Sequence, residues 1–466
     1  MNAKSLFVLL LAGLLPATPA VAQSPPDTAS ERPSGDAARE RPPVRNSRGA
    51  AADTFRLGLE EAVRRATTVN EDVLVARAEK ARAAGIVTET RADALPRITA
   101  SFGYTRNIQT PVIFFGSGQG TEQIRIGNAN EYSFGLNLQQ TVLDFSLGPA
   151  RSAARLSRRA SDAQLEAART DVALRTREAY YQVLLDQALV RVRRQALEQA
   201  ERRLEQVRDF YEAGTGSEFD LLTARVEVEN LRPDLIEARN QLELSRNRLK
   251  RTIGVSLERP LALTDSFPDP TSASAESAYV EEALTGRSDL EGQRVRVRLQ
   301  EENLTSNERS DLPTLELVAG LTRRASSGDL LPPEEDFVQT ASAGLSFSVP
   351  LFDGNRLSGQ VQQAKAAKNR ESYRLRQLRE DIRLQVQQSY QAMEAARERI
   401  RSTASTVERA ERALEIAQTR FRNGLSTQVE LNDAELAVTQ ARTNHVRALH
   451  AYAVAQARLM AATGER

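Results

Sequence analysis

Two stretches of this chain, 150–213 and 355–423, run without a proline and carry apolar residues at three- and four-residue spacing. As helices, at ~1.5 Å per residue, each reaches roughly 100 Å. That is far beyond a globular helix and demands a coiled coil or a bundle. Pro149 suits the first turn of the first one. Near its end a seam reads Val190, Leu197, Ala200, Leu204, Val207, Tyr211, while a neighbouring seam is interrupted by Gln199, Arg203 and Gln206. Helix 217–253 carries Leu221, Ala224, Val228, Leu231, Leu235, Ala238, Leu242. The last helix carries Leu431, Ala434, Val438, Ala441, His445, Ala448, Tyr452, Ala455, Leu459, with a second seam at Val446, Leu449, Ala453, Met460. One seam buries a helix against one partner; two adjacent seams suit a wall of helices with a neighbour on each side.

The chain is written twice. Leu59-Glu60-Glu61-Ala62 returns as Val280-Glu281-Glu282-Ala283, Leu95-Pro96 as Leu312-Pro313, and Gly135-Leu136 with Asp144 as Gly344-Leu345 with Asp353. Gly214 returns as Gly424 and Gly254 as Gly464, both pairs 210 positions apart. That is long for a solenoid unit and indicates a duplicated half. The halves are 56–254 and 279–466, joined by a Pro- and Ser-rich link at 255–278. Each half reads helix, strand, strand, long helix, helix: a mainly α chain with a small β part. The strands alternate with period two: Ile98, Ala100, Phe102, Tyr104; Tyr132, Phe134, Leu136, Leu138; Leu315, Leu317, Ala319, Leu321; Ala343, Leu345, Phe347, Val349. Each is about ten residues long, which is what a tilted strand needs to cross a bilayer. The aromatic residues among them fit an interfacial girdle, and a half-buried sheet on a soluble core explains the alternation equally well. Pro233 stands inside the fourth helix where the second half has Thr443, and predicts a bend there.

The first residues read as a secretory signal: Lys4, an apolar run at 5–15, Pro16, then Ala20-Val21-Ala22, so 1–22 is the segment removed. Residues 23–55, rich in Pro, Ser, Arg and Ala, should be disordered. No later stretch offers about 18 consecutive apolar residues for a spanning helix. The chain therefore works outside the cytoplasm in solution, or sits in a membrane as a β-barrel. Lys+Arg 63 against Asp+Glu 62 gives no basic signal for nucleic acid. Zero Cys removes disulfides, thiolate metal sites and thiol nucleophiles. Gly116-Ser117-Gly118-Gln119-Gly120 follows no strand–helix unit and reads as a surface loop, not a phosphate loop. His445 and His450, five apart, share a helix face poorly for a metal, and His445 falls in a heptad seam. No catalytic, metal or cofactor site is expected.

Four strands cannot close a membrane barrel, and an open edge in lipid leaves backbone groups unpaired. Such barrels have at least about eight strands. Several copies must then share one barrel; two would fill it with side chains, whereas three leave a channel. In each half, helices 59–94 and 217–253 stacked end to end come close to the length of the long helix, with the link as a collar around the middle.

At this point the chain resembles the TolC-type outer-membrane efflux and secretion channels. The marks are Leu57-Gly58-Leu59-Glu60-Glu61-Ala62, Ala94-Leu95-Pro96 entering a strand, Val349-Pro350-Leu351-Phe352-Asp353-Gly354 leaving one, and Phe421-Arg422-Asn423-Gly424 at a helix turn. Each is weak alone; their order in a duplicated chain, over about 57–464, is specific. The resemblance implies a homotrimer in the outer membrane. Its twelve-strand barrel would continue into a long twelve-helix coiled-coil barrel reaching through the periplasm. It implies docking to a periplasmic adaptor and an inner-membrane transporter, and passive export. It places the periplasmic tips at 211–220 and 421–430, with Gly214, Thr215, Asp220, Asn423, Gly424, Leu425 and Ser426 as docking residues. It places a channel constriction at Glu430 and Asp433, which share a helix face at i and i+3. One family device does not carry over: Asp220 stands where a tip salt bridge has its acid, but Ser426 stands where it has its arginine, with Arg420 and Arg422 before the turn. The alternative of a periplasmic coiled-coil adaptor is disfavoured by two full strand-strand-helix-helix units.

Overall fold

The computed structural model describes residues 54–110, 112–117, 120–125, 127–270 and 274–465. The expected signal segment 1–22, and the Pro- and Ser-rich stretch as far as 53, lie outside them. Phe55, at the end of that stretch, opens a strand instead.

The first half runs β1 (Phe55–Leu57), α1 (Leu59–Val69), α2 (Glu71–Ala92), β2 (Arg97–Arg106), β3 (Val112–Ser117), β4 (Gly120–Arg125), β5 (Asn130–Leu143), α3 (Leu147–Glu212) and α4 (Glu218–Thr252). After β6 (Leu261–Leu263), the second half runs α5 (Glu276–Gly286), α6 (Ser288–Glu308), β7 (Thr314–Ser327), β8 (Phe337–Ser348), α7 (Arg356–Arg422) and α8 (Gln428–Thr463). The expected elements are all present, with four differences. The first helix of each half is two: in the first half Asn70 is extended and its side chain caps α2 by accepting from the Asp72 N–H at 3.0 Å, and in the second half Arg287 is extended between α5 and α6. The outer loop of the first half holds a hairpin, β3 with β4, with residues 118–119 of the glycine run outside the described residues. The connection between the strands of the second half spans only 328–336, since β7 continues to Ser327 and β8 opens at Phe337. The link 255–278 is not bare, since β6 pairs parallel with β1, Phe55 opposite Leu261. Pro233 does not end α4, which runs through it.

The main sheet is antiparallel in the order β2-β5-β7-β8. Its register puts the alternating apolar residues of all four strands on one face: Ile98 faces Leu138, Phe102 faces Phe134, Leu136 faces Leu321, and Leu317 faces Leu345. Many of these remain exposed, Phe102 at 73% and Leu345 at 67%. The other face is small and polar, with Ser101 opposite Gly135, Asn137 opposite Gly320, and Gly320 opposite Ser342. A soluble half-buried sheet would bury its apolar face; here both faces of the edge strands are exposed, the apolar one included. Tyr104 and Tyr132 stack at 5.0 Å on that face.

Below the sheet the helices form a wall. Long α3 packs against α2 and α6 at the sheet end and against α4 and α8 beyond, while long α7 packs against α6 and then α8. The stacked pairs meet at matching joints. Asn70 Nδ2 donates to Thr252 O at 3.1 Å and Arg65 Nε to Ile253 O at 2.9 Å; in the second half Arg287 Nη1 donates to Ala462 O at 3.1 Å. Gly254 and Gly464 end α4 and α8 with φ +64° and +91°. At the first joint Tyr180 is buried, its hydroxyl donating to Leu57 O at 3.1 Å and accepting from the Asp265 N–H at 3.3 Å. Burial raises that phenol to about 12, so it stays a donor. The strand pair β1–β6 and Tyr180 pack together at this joint.

Candidate functional site

Each long helix ends on a glycine in the left-handed region, Gly214 at φ +76° and Gly424 at φ +70°, where a side chain would strain the backbone. At the first turn, the N–H groups of Thr215 and Gly216 both reach Phe210 O, at 2.9 and 2.8 Å, and close the helix end. Ser217 then caps α4 through the Asp220 N–H at 3.1 Å. At the second turn, the Leu425 N–H reaches Arg420 O at 2.8 Å, and Asn423 Nδ2 donates to Thr419 O at 2.8 Å. Thr427 caps α8 through the Glu430 N–H at 3.3 Å.

The two turns meet. Gln428 Nε2 donates to Asp220 O at 3.3 Å, and the Phe210 and Phe421 rings pack edge-on at 6.3 Å. Between them lies a recess of about 500 Å³ that Thr215, Asp220, Gly424 and Ser426 help to line. The Asp220 carboxylate accepts from Ser217 Oγ at 2.7 Å, while Arg420 and Arg422 fold back onto Leu425 O and Gln418 O. Ser426 Oγ is buried with no hydrogen-bond partner among the described residues. Among the described residues the two turns are thus joined by ring packing and one hydrogen bond from the Gln428 side-chain amide, without an ion pair to Asp220. Leu425 is 68% exposed.

Glu430 and Asp433 lie on one exposed face of the first turns of α8, where the described residues pair neither carboxylate. Leu431, between them, points the other way and is buried with Leu414 and Val438 against α7. His445 is an inter-helix residue, its Nδ1 at 3.1 Å from Thr403 Oγ1. Among the described residues no group of His, Cys, Asp or Glu gathers to hold a metal ion.

Two buried polar positions were not singled out from the sequence. Arg203 pairs with Glu435 between α3 and α8; the interrupted seam at Gln199, Arg203 and Gln206 was its signal. Asp186, 2% exposed, sits where α3 faces α4; its signal is an aspartate among Tyr181, Val183, Leu184, Ala188 and Val190, all buried.

The sequence model of the family described as outer membrane efflux protein matches residues 62–255 and 279–465. The alkaline protease secretion protein AprF of Pseudomonas aeruginosa is 24% identical over 376 residues, 79% of this chain and 76% of that protein. The outer membrane protein TolC of Vibrio cholerae is 24% identical over 409 residues, 87% of this chain and 90% of that protein. Among solved structures, the outer membrane protein VceC of Vibrio cholerae superposes with TM-score 0.73 at 21% identity, over 87% of this chain and 96% of that one. The CmeC outer membrane channel of Campylobacter jejuni superposes with TM-score 0.75 at 20% identity, over 87% and 85%. The superpositions establish the fold.

Proposed function

The chain belongs to the outer membrane efflux protein family, and from that premise we propose that three copies form one conduit from the periplasm to the exterior. It is an outer-membrane protein that serves as an exit duct for efflux or secretion, and its family is one of channels, not enzymes. The observation that carries the reading is the four-stranded sheet, apolar and exposed on one face, polar on the other, with β2 and β8 as its open edges. Backbone groups at such edges are costly in lipid and must pair with another copy. Three copies of a four-stranded sheet give twelve strands, with the Ser-, Gly- and Asn-rich face lining a water-filled lumen. The wall of two long helices and two stacked pairs, taken three times, gives the twelve-helix tunnel beneath it.

The remaining assignments follow the same reading. Residues 1–22 are the export signal, and the halves 56–254 and 279–466 meet at the collar. Gly214, Thr215, Asp220, Asn423, Gly424, Leu425 and Ser426 present the docking surface for a periplasmic adaptor that couples the duct to an inner-membrane transporter. Glu430 and Asp433 ring the narrowest point. The adaptor alternative is not favoured, because the family model matches both halves of the chain.

Light scattering of the detergent-extracted outer-membrane fraction tests the assembly. About three chains per particle is the expected mass. A monomer, or a protein that stays soluble without detergent, would overturn the shared barrel.

A further inference from the structure

Asp186 is a buried carboxylate that is only half satisfied. Its side chain is 2% exposed. Gln182 Nε2 donates to Oδ1 at 3.1 Å, but Oδ2 has no hydrogen-bond partner among the described residues. The neighbouring Ser245 gives its own proton to Leu242 O at 2.9 Å. A buried polar atom without a partner is costly and uncommon in native proteins, so it calls for a reason.

The architecture does not require it. At the 210-residue offset that relates Gly214 to Gly424, Gln182, Asp186 and Ser245 correspond to Ala392, Ala396 and Ala455. Ala396 and Ala455 are buried in the second half's apolar cluster. The same hairpin therefore packs without a carboxylate, and only the first half keeps one.

Asp186 lines a recess of about 240 Å³ where α3, α4 and α8 meet. Arg193 lies there too, held by Asp234 at 3.2 Å. With Glu237 and Arg447 also at the recess, its lining carries three acids against two arginines, one negative charge in excess. Leu189 and Ala238 supply an apolar side. With no set of ligands for a metal among the described residues, one orphaned oxygen beside apolar surface suits an ammonium group with a hydrocarbon body.

The recess also has a place on the conduit. Arg447 stands two heptads above Asp433 on α8, on the same helix face and roughly 21 Å along it. If that face lines the tunnel at Asp433, it does so at the recess.

We propose that this recess is a binding site in the tunnel wall for small organic amines, with Asp186 as the residue that accepts the ammonium N–H. Its place on the conduit rests on the duct reading; its chemistry does not. In this site the ammonium group pairs with the Asp186 carboxylate where that residue lines the recess, while the hydrocarbon part lies against Leu189 and Ala238. An amine passing the constriction would pause there before moving outward.

The test uses the detergent-purified full-length assembly with phenethylammonium as probe and 2-phenylethanol as its neutral counterpart, read by isothermal titration calorimetry. The amine should bind, and Asp186→Asn or Asp186→Ala should weaken it at least tenfold while leaving the alcohol unchanged. Asp186→Ala carries the residue of the second half and so should assemble. Equal affinity for amine and alcohol, or equal amine affinity in wild type and both variants, overturns the site. Planar-bilayer conductance of the same preparations separates the two readings. Conductance with no amine binding overturns the recess and leaves the duct; amine binding in a protein that never conducts overturns the placement on a conduit.

Discussion

Arg203 of α3 and Glu435 of α8 form an ion pair that closes the seam between the two helical hairpins, with the Arg203 side chain 3% exposed. The guanidinium is not fully served: Nε and Nη2 are buried without hydrogen-bond partners among the described residues. Burial, opposed by Arg203, holds the Glu435 carboxyl above its usual range. Within the second hairpin the contact beside it is apolar, Leu414 with Leu431 and Val438. Near the tips, the second hairpin is therefore held internally by hydrocarbon, and the two hairpins are joined by this ion pair and by the Phe210–Phe421 contact.

Removing one partner of that pair should cost more than removing both. Glu435→Ala strands a buried guanidinium, and a loss of about 3–5 kcal/mol is the usual scale for breaking a buried pair. Arg203→Met with Glu435→Leu replaces the pair by packing and should recover most of that loss. Thermal unfolding of the four proteins in one detergent gives the cycle. Equal loss in single and double variants would show that the pair does not couple the hairpins.

Tyr180 ties the collar to α3, and Tyr180→Phe removes both of its hydrogen bonds. About 1–3 kcal/mol should be lost, mostly from the Asp265 N–H left unpaired. Amide exchange should rise at Leu57 and at 263–265. The alkaline limb should change as well. The unfolded phenol ionises near 10, the folded one only near 12. Between those values the unfolded chain holds fewer protons, so wild-type stability falls as pH rises through that window. The phenylalanine variant should lack this fall.

Asp186 carries a pH signature of its own. Burial raises its carboxyl above the usual 3.8, with Ser245, Gln182 and Arg248 pulling back. From about pH 4 up to the raised value the native state holds a proton that the unfolded chain has lost. Stability from this group is therefore full below that window, falls as pH rises through it, and stays reduced above. Asp186→Ala should match wild type near pH 4 and be the more stable protein at pH 7. Melting curves at the two pH values check this; the same difference at both would mean that the carboxyl is not the cause.

Period told most of the fold. Two-residue alternation at Ile98 to Tyr104 and at Leu315 to Leu321 marked the apolar sheet face that pairing then aligned, because pleating leaves no other option. The seam from Leu431 to Leu459 was legible for the same reason. What escaped was decided by contacts far apart in sequence. Three-residue strands β1 and β6 have no period to read, and Phe55 pairs with Leu261, a residue almost half the chain away. The break at Asn70 depends on Thr252 O, offered by α4. At the site, the turn glycines were visible because positive φ selects glycine. Arg203 looked like a seam defect and Asp186 drew no reading, since which charge is buried depends on the helix opposite.

Pro233 tests how much irregularity the first hairpin tolerates. The helix continues through it, although proline removes one backbone donor from the ladder. Its counterpart in the second half is Thr443. Pro233→Ala should stabilise α4 by up to about 3 kcal/mol, the difference between the two residues in a helix interior. Amide protection should rise around 229–237, and an unchanged exchange pattern would show that the ladder is already repaired there.

Glu430 and Asp433 are the residues we propose for the channel constriction. They sit one turn apart on an exposed face of α8, just past the turn at Gly424. In the proposed trimer they become six carboxylates around the axis. Such a ring attracts cations, holds multivalent ones longest, and repels anions by mutual charge. Asp433→Ala with Glu430→Ala should raise single-channel conductance in planar bilayers or weaken block by multivalent cations added on the tip side. The fold should be unaffected, because the Thr427 cap accepts from the Glu430 backbone and not from its side chain. Unchanged current together with unchanged cation block would remove both residues from the constriction and leave closure to the packing of Phe210 on Phe421.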